Sequence, residues 1–171
     1  MTEEMKKGYV ARVACANRSE LVVLIYEMLE TCLAEAEAEL IKMKSAAGEN
    51  AGLKSGENED FRKNMVQFRG FLNELMGSLD YNYAVSGDLM KLYMWIDKQA
   101  AGVMYSGELS VIAHIKSLLE KLKKGFEEVA KQDGSPAVME HTETIYAGLT
   151  YGKDSLNETV DIGNEKRGFR V

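Results

Sequence analysis

The sequence predicts an all-α protein, an antiparallel up-down four-helix bundle with a flexible N-terminal arm and a C-terminal extension. Three observations carry that prediction. Apolar residues return at helical spacing through four long stretches. Glycine, proline and short polar residues punctuate the chain between those stretches. No run alternates apolar and polar residues as a half-buried strand would, and no internal repeat is present.

The domain plan follows from the punctuation. Residues 1–16 form an arm carrying Tyr9, Val10 and Val13, residues 17–132 form the bundle, and residues 133–171 form the extension. Asn17 caps the first long helix, with Glu20 three residues on in capping-box position. Leu21 to Tyr26 alone would pass for a buried strand, but Met28, Cys32, Ala36, Leu40 and Met43 continue one helical stripe to about Ser45. Apolar residues near the start of that helix go all the way round it. That end therefore expects cover on more than one side.

Gly48, Gly52 and Gly56 lie among polar residues and predict a loop from Ser45 to Asn58. The second long helix is expected from about Glu59 to Leu79, with Phe61, Met65, Phe68, Leu72, Leu75 and Leu79 on one face. The third is expected from about Ala84 to Met104, weakened by Gly102 and broken at Gly107. Ser106 is the expected cap of the fourth, whose stripe is Leu109, Ile112, Leu119, Leu122, Phe126 and Val129. Asp133-Gly134-Ser135-Pro136 stops that helix. In the extension, a short helix from Val138 to Tyr146 precedes an irregular end. Ile145, Tyr146, Leu149 and Tyr151 cluster there and are expected to pack back on the bundle.

Composition narrows the function. With 171 residues and 46% hydrophobic content, one domain with a sizeable core is expected. A net charge of −6 argues against a nucleic-acid partner, because phosphate binding needs basic patches. Lys116, Lys121, Lys123 and Lys124 cluster, but Glu120, Glu127 and Glu128 lie between them, as on a solvated helix face. Cys15 and Cys32 form no CxxC pair and suit a reducing cytosol. Glu3, Glu4, Lys6 and Lys7 with no apolar run behind them do not make a secretory signal. The longest apolar run, Leu21 to Tyr26, is far short of the ~20 residues of a membrane span, so no membrane insertion is expected.

Catalytic and metal chemistry find no support. His114 and His141 lack the Glu three residues earlier that a di-iron bundle needs. Two distant cysteines and two distant histidines do not make a zinc set. Gly148 to Ser155 is one residue short of a phosphate loop, and Asp154 follows its lysine. Glu35, Glu37 and Glu39 read as solvated charges rather than an acid/base pair. No cofactor and no enzymatic activity are expected. Met65, Met76, Met90, Met94 and Met104 read first as core filler, and second as the adaptable wall of a binding groove. Trp95 stands off the stripe of the third helix and reads as a surface anchor.

The stretch Asn73 to Lys98 carries a resemblance. Glu74-Leu75-Met76, Ser78-Leu79-Asp80 and Leu89 to Leu92-Tyr93 match the second-to-third helix junction of the flagellin export chaperones, the FliS family. Val13, Cys15-Ala16-Asn17-Arg18, Leu21-Val22 and Ile25-Tyr26-Glu27 match the family's turn and first-helix start. Arg18 stands where the family has proline, and Phe126 where it has an aromatic tryptophan. The likeness spans Tyr9 to Lys131.

The resemblance implies a cytosolic chaperone that wraps the C-terminal segment of flagellin, blocks premature polymerisation and presents the subunit to the export apparatus. The partner-binding residues expected on this basis are Tyr9, Val13, Leu21, Ile25, Tyr26, Leu89, Leu92, Tyr93 and Ile96. The alternative is a structural or regulatory helical bundle that binds a different protein.

Overall fold

A reciprocal cap begins the longest helix. The Asn17 backbone N–H donates to Glu20 Oε2 at 2.9 Å, and the Glu20 N–H donates to Asn17 Oδ1 at 2.8 Å. This is the capping box expected from the sequence. The computed structural model describes residues 3–47 and 59–139, all within one compact unit, Met1–Glu140. Among them are five helices and no strand. They are α1 (Glu3–Cys15), α2 (Arg18–Ala47), α3 (Glu59–Gly77), α4 (Ala84–Ser106) and α5 (Leu109–Gln132). The all-α class holds, with one helix that the sequence reading did not assign.

That extra helix is α1, in the segment read as an arm. It was missed because its apolar residues make no single stripe and Gly8 interrupts them. Its partner is supplied from outside: α1 runs antiparallel along α2, the element it contacts. The helices α2 to α5 close a ring of neighbours: α2 with α3, α3 with α4, α4 with α5, and α5 with α2. Lys116 to Glu37 and Lys123 to Glu30, each 2.5 Å, fix α5 antiparallel to α2. Arg69 forks onto Asp97 at 2.6 and 2.9 Å and ties α3 to α4. Two of the lysines expected on a solvated face thus join helices.

The core fills the ring. Leu29, Cys32, Leu33, Ala36 and Leu40 from α2 meet Phe61, Met65, Phe68, Leu72 and Leu75 from α3. Tyr93, Ile96, Ala100 and Val103 from α4 and Ile112, Ile115 and Leu119 from α5 complete it. Fully burying five large side chains of α3 contributes roughly 8–15 kcal/mol before entropy is counted. The fully buried side chains of α1 and its exit are Ala14 and Ala16, worth under ~2 kcal/mol on the same scale. The first helix is therefore the least anchored of the five.

The turns have local causes. After α3, the Asp80 side chain accepts from the Asn82 N–H at 2.9 Å, and its carbonyl accepts from Tyr83 N–H and Ser86 Oγ. Gly107, at φ 61°, ends α4 and donates its N–H to the Val103 carbonyl at 2.8 Å. A side chain with Cβ is disfavoured at such a residue. Gly102 does not end the helix, which runs through it. Ser106 does not cap α5 either. It closes α4, its Oγ accepts the Glu108 N–H at 3.3 Å, and α5 begins at Leu109. Val138 and Met139 are not helical. The remainder of the expected short helix, the Ile145–Tyr151 cluster and most of the Ser45–Asn58 loop lie outside the described residues.

Candidate partner-binding surface

Two side chains of α1, Tyr9 and Arg12, seat it on α2. Arg12 makes a two-pronged ion pair with Glu27, fifteen residues on, and that hydrogen bond raises the guanidinium pKa further. The Arg12 guanidinium also lies 5.9 Å from the Tyr9 ring centre. The Thr31 hydroxyl donates to the Glu27 carbonyl at 2.9 Å, so at 3.2 Å the Tyr9 hydroxyl donates to Thr31 Oγ1. The pairs Tyr9–Thr31 and Arg12–Glu27 step in opposite senses along the two helices, which sets the antiparallel register. Half-exposed ion pairs of this kind are worth ~1 kcal/mol or less. Polar contacts and two alanines hold α1 down, and Val10 stays half exposed.

A cavity of about 470 Å³ opens where α1 ends, between Cys15 and Ala16, Val23 and Leu24 of α2, and Ala130 and Lys131 of α5. Its lining is mostly apolar, and Arg12, Glu20 and Glu127 also contribute to it. Among the described residues, no group of acidic, cysteine or histidine side chains could hold a metal ion. Burial pushes the Cys32 thiol up to about 11, so it stays protonated in the core.

The nine residues expected to meet a partner divide into two sets. Tyr9, Val13, Leu21, Ile25, Leu89 and Leu92 are half-buried and keep some surface. Ile25, Leu89 and Leu92 also pack against the core. Tyr26, Tyr93 and Ile96 lie inside it, at most 1% exposed, and offer no surface to a partner in this conformation. Tyr26 stacks on Phe126, ring centres 5.4 Å apart. Helical spacing marks one face of a helix, but a core face and a groove face share that spacing.

A second set of residues is more open. Met94 is 60% exposed, Trp95 44%, Tyr105 85% and, on α3, Val66 57%. Trp95 sits outside the stripe as the sequence indicated. Tyr105 went unnoticed because the helix was expected to end at about Met104, one residue before it, whereas α4 runs to Ser106. Counting outward-facing positions in steps of three and four from Met94 through Lys98 and Gly102 reaches it. Tyr81, Tyr83 and Val85 are also exposed, at the turn into α4.

The family model described as Flagellar protein FliS matches residues 1–133, all five helices and the residue that follows them. The chain belongs to the FliS family. No curated protein matches it. FliS proteins are flagellar export chaperones, not a family of enzymes, and their partners are proteins. In this FliS chain, the stretch that carried the resemblance forms the end of α3, the Asp80 turn and the start of α4. No helix among the described residues is long and apolar enough to cross a membrane.

Proposed function

We propose that this chain is a cytosolic export chaperone that holds the C-terminal segment of flagellin against polymerisation and presents it to the export apparatus. The observation that carries the reading is the family match across every described helix. The ring of α2 to α5 is read as an antiparallel up-down four-helix bundle, a scaffold whose inter-helix grooves suit an amphipathic client. Half-buried Leu21, Ile25, Leu89 and Leu92, with Tyr9 and Val13 of α1, remain the proposed contacts. Tyr26, Tyr93 and Ile96 support them from below. Loosely seated α1 covers part of α2 until client displaces it.

Chemistry on the surface supports binding rather than catalysis. Flexible Met94 and the rings of Trp95 and Tyr105 give adaptable apolar area. A client that folds as it binds loses ~2–5 kcal/mol to ordering, which keeps the complex releasable. Titration calorimetry against the C-terminal segment of the cognate flagellin tests the reading. A saturable complex with negative ΔCp is expected. Absence of heat and of co-elution at tens of micromolar, roughly −6 kcal/mol, rejects it.

A further inference from the structure

Beyond α5 the chain turns back over the elbow between α1 and α2. The Val138 N–H donates to the Ala16 carbonyl at 3.0 Å. Asn17 Nδ2 donates to the Asp133 carbonyl at 3.1 Å, and Ser19 Oγ donates to Asp133 Oδ2 at 2.5 Å. Ala16 and Asn17, the non-helical residues of the elbow, are 4% and 6% exposed. Within the segment, the Ser135 N–H donates to Asp133 Oδ1 at 3.0 Å and shapes its bend. Hydrogen bonds from Ser135 and Ser19 hold the Asp133 pKa down to about 2, so this carboxylate is charged at physiological pH.

We propose that residues 133–138 are a strap that locks the α1–α2 elbow and thereby sets how often α1 lifts from α2. The proposal rests on the reading of α1 as a cover. Lifting α1 requires rotation at Ala16–Asn17, the joint between the two helices. That rotation moves the Ala16 carbonyl away from Val138. It also disturbs Asn17, whose side chain serves two structures at once: Oδ1 caps α2 and Nδ2 holds the strap. The elbow cannot open while the strap bonds persist. Gly134 to Val138 lie past the end of the family match at residue 133. Of the lock's three bonds, the one from Val138 therefore comes from outside the part of the chain that the family describes, and the two at Asp133 are made by its last residue.

Of the three ties, Val138→Pro removes the one to the Ala16 carbonyl and Ser19→Ala removes the one to the Asp133 carboxylate. Val138→Ala keeps the N–H and serves as control. Val138 is half exposed, so its side chain matters little to the core. In the full chain, hydrogen exchange of the Tyr9–Cys15 amides is measured against the α3 amides. Val138→Pro and Ser19→Ala each speed α1 exchange about threefold to tenfold, the range expected for one lost hydrogen bond, and Val138→Ala leaves it unchanged. Unchanged α1 exchange in Val138→Pro overturns the strap, as does equal acceleration in α3, which would make the segment a general stabiliser. Stopped-flow association with the flagellin segment reads the other premise. Faster exchange with unaltered association keeps the strap and overturns α1 as the cover of the binding site.

Discussion

Tyr26 of α2 and Tyr93 of α4 join hydroxyls 2.6 Å apart in the core. Their helices are opposite members of the ring and are not among its contacting neighbours. One buried hydrogen bond therefore spans the centre. Removing one hydroxyl strands the other away from water. Tyr26→Phe or Tyr93→Phe is expected to cost about 1–3 kcal/mol, and the double variant less than the sum. Denaturant titration of the three variants decides it. Strict additivity would show that the two hydroxyls do not interact.

The same pair predicts an alkaline limit. Burial raises both phenols above their ordinary value of 10.0, and the contact with Tyr93 raises Tyr26 further. The folded chain keeps these protons where the unfolded chain releases them. Their contribution is intact below about pH 10 and declines above it, by up to ~2.7 kcal/mol per pH unit for two groups. Stability measured from pH 8 to 11 should fall more steeply in the parent than in the Tyr26→Phe, Tyr93→Phe double variant. Parallel curves would contradict the assignment.

Two glycines of one helix region should respond in opposite directions. Gly102 is exposed within α4, and a Cβ there meets nothing within 4 Å. Gly102→Ala is expected to stabilise by about 0.8–1 kcal/mol through helix propensity. Gly107 takes the left-handed conformation at φ 61°, where an L side chain costs ~1–2 kcal/mol. Gly107→Ala should lower the melting temperature while Gly102→Ala raises it, and shifts of the same sign would refute the account.

Deleting residues 1–16 removes the proposed competitor for the α2 surface. Client association is then expected to accelerate, because the competent population no longer waits on α1. Arg12→Ala, which breaks the pair with Glu27, should accelerate it to a smaller degree. Association that is unchanged or slower on deletion would mean that α1 is no lid.

Helices α2 to α5 were legible because their signals are local. The Asn17–Glu20 pair marked the start of α2, and the Phe61-to-Leu75 stripe marked α3. The start of α5 was misplaced because Ser106 looks like a cap, whereas the left-handed turn at Gly107 delays the helix to Leu109. Helix α1 was hidden because its register depends on Glu27 and Thr31, which local spacing does not couple to Arg12 and Tyr9. The proposed contacts divided for a related reason. Tyr26, Tyr93 and Ile96 obey the same period as Leu89 and Leu92, and only the position of neighbouring helices separates core from surface. The strap was read as a helix stop, which it is, but its bonds to Ala16, Asn17 and Ser19 span more than a hundred residues.

That separation has a consequence for synthesis. Asn17 and Asp133 are 116 residues apart, and the ribosome adds roughly 5–20 residues per second. The elbow residues therefore emerge roughly 6–23 s before the carbonyl that secures them. During that interval any hairpin that α1 and α2 form has an unlocked joint. The seat of α1 is finished by Asp133 and Val138, which follow α5. Completion of the lock thus reports that α1 to α5 have all left the ribosome.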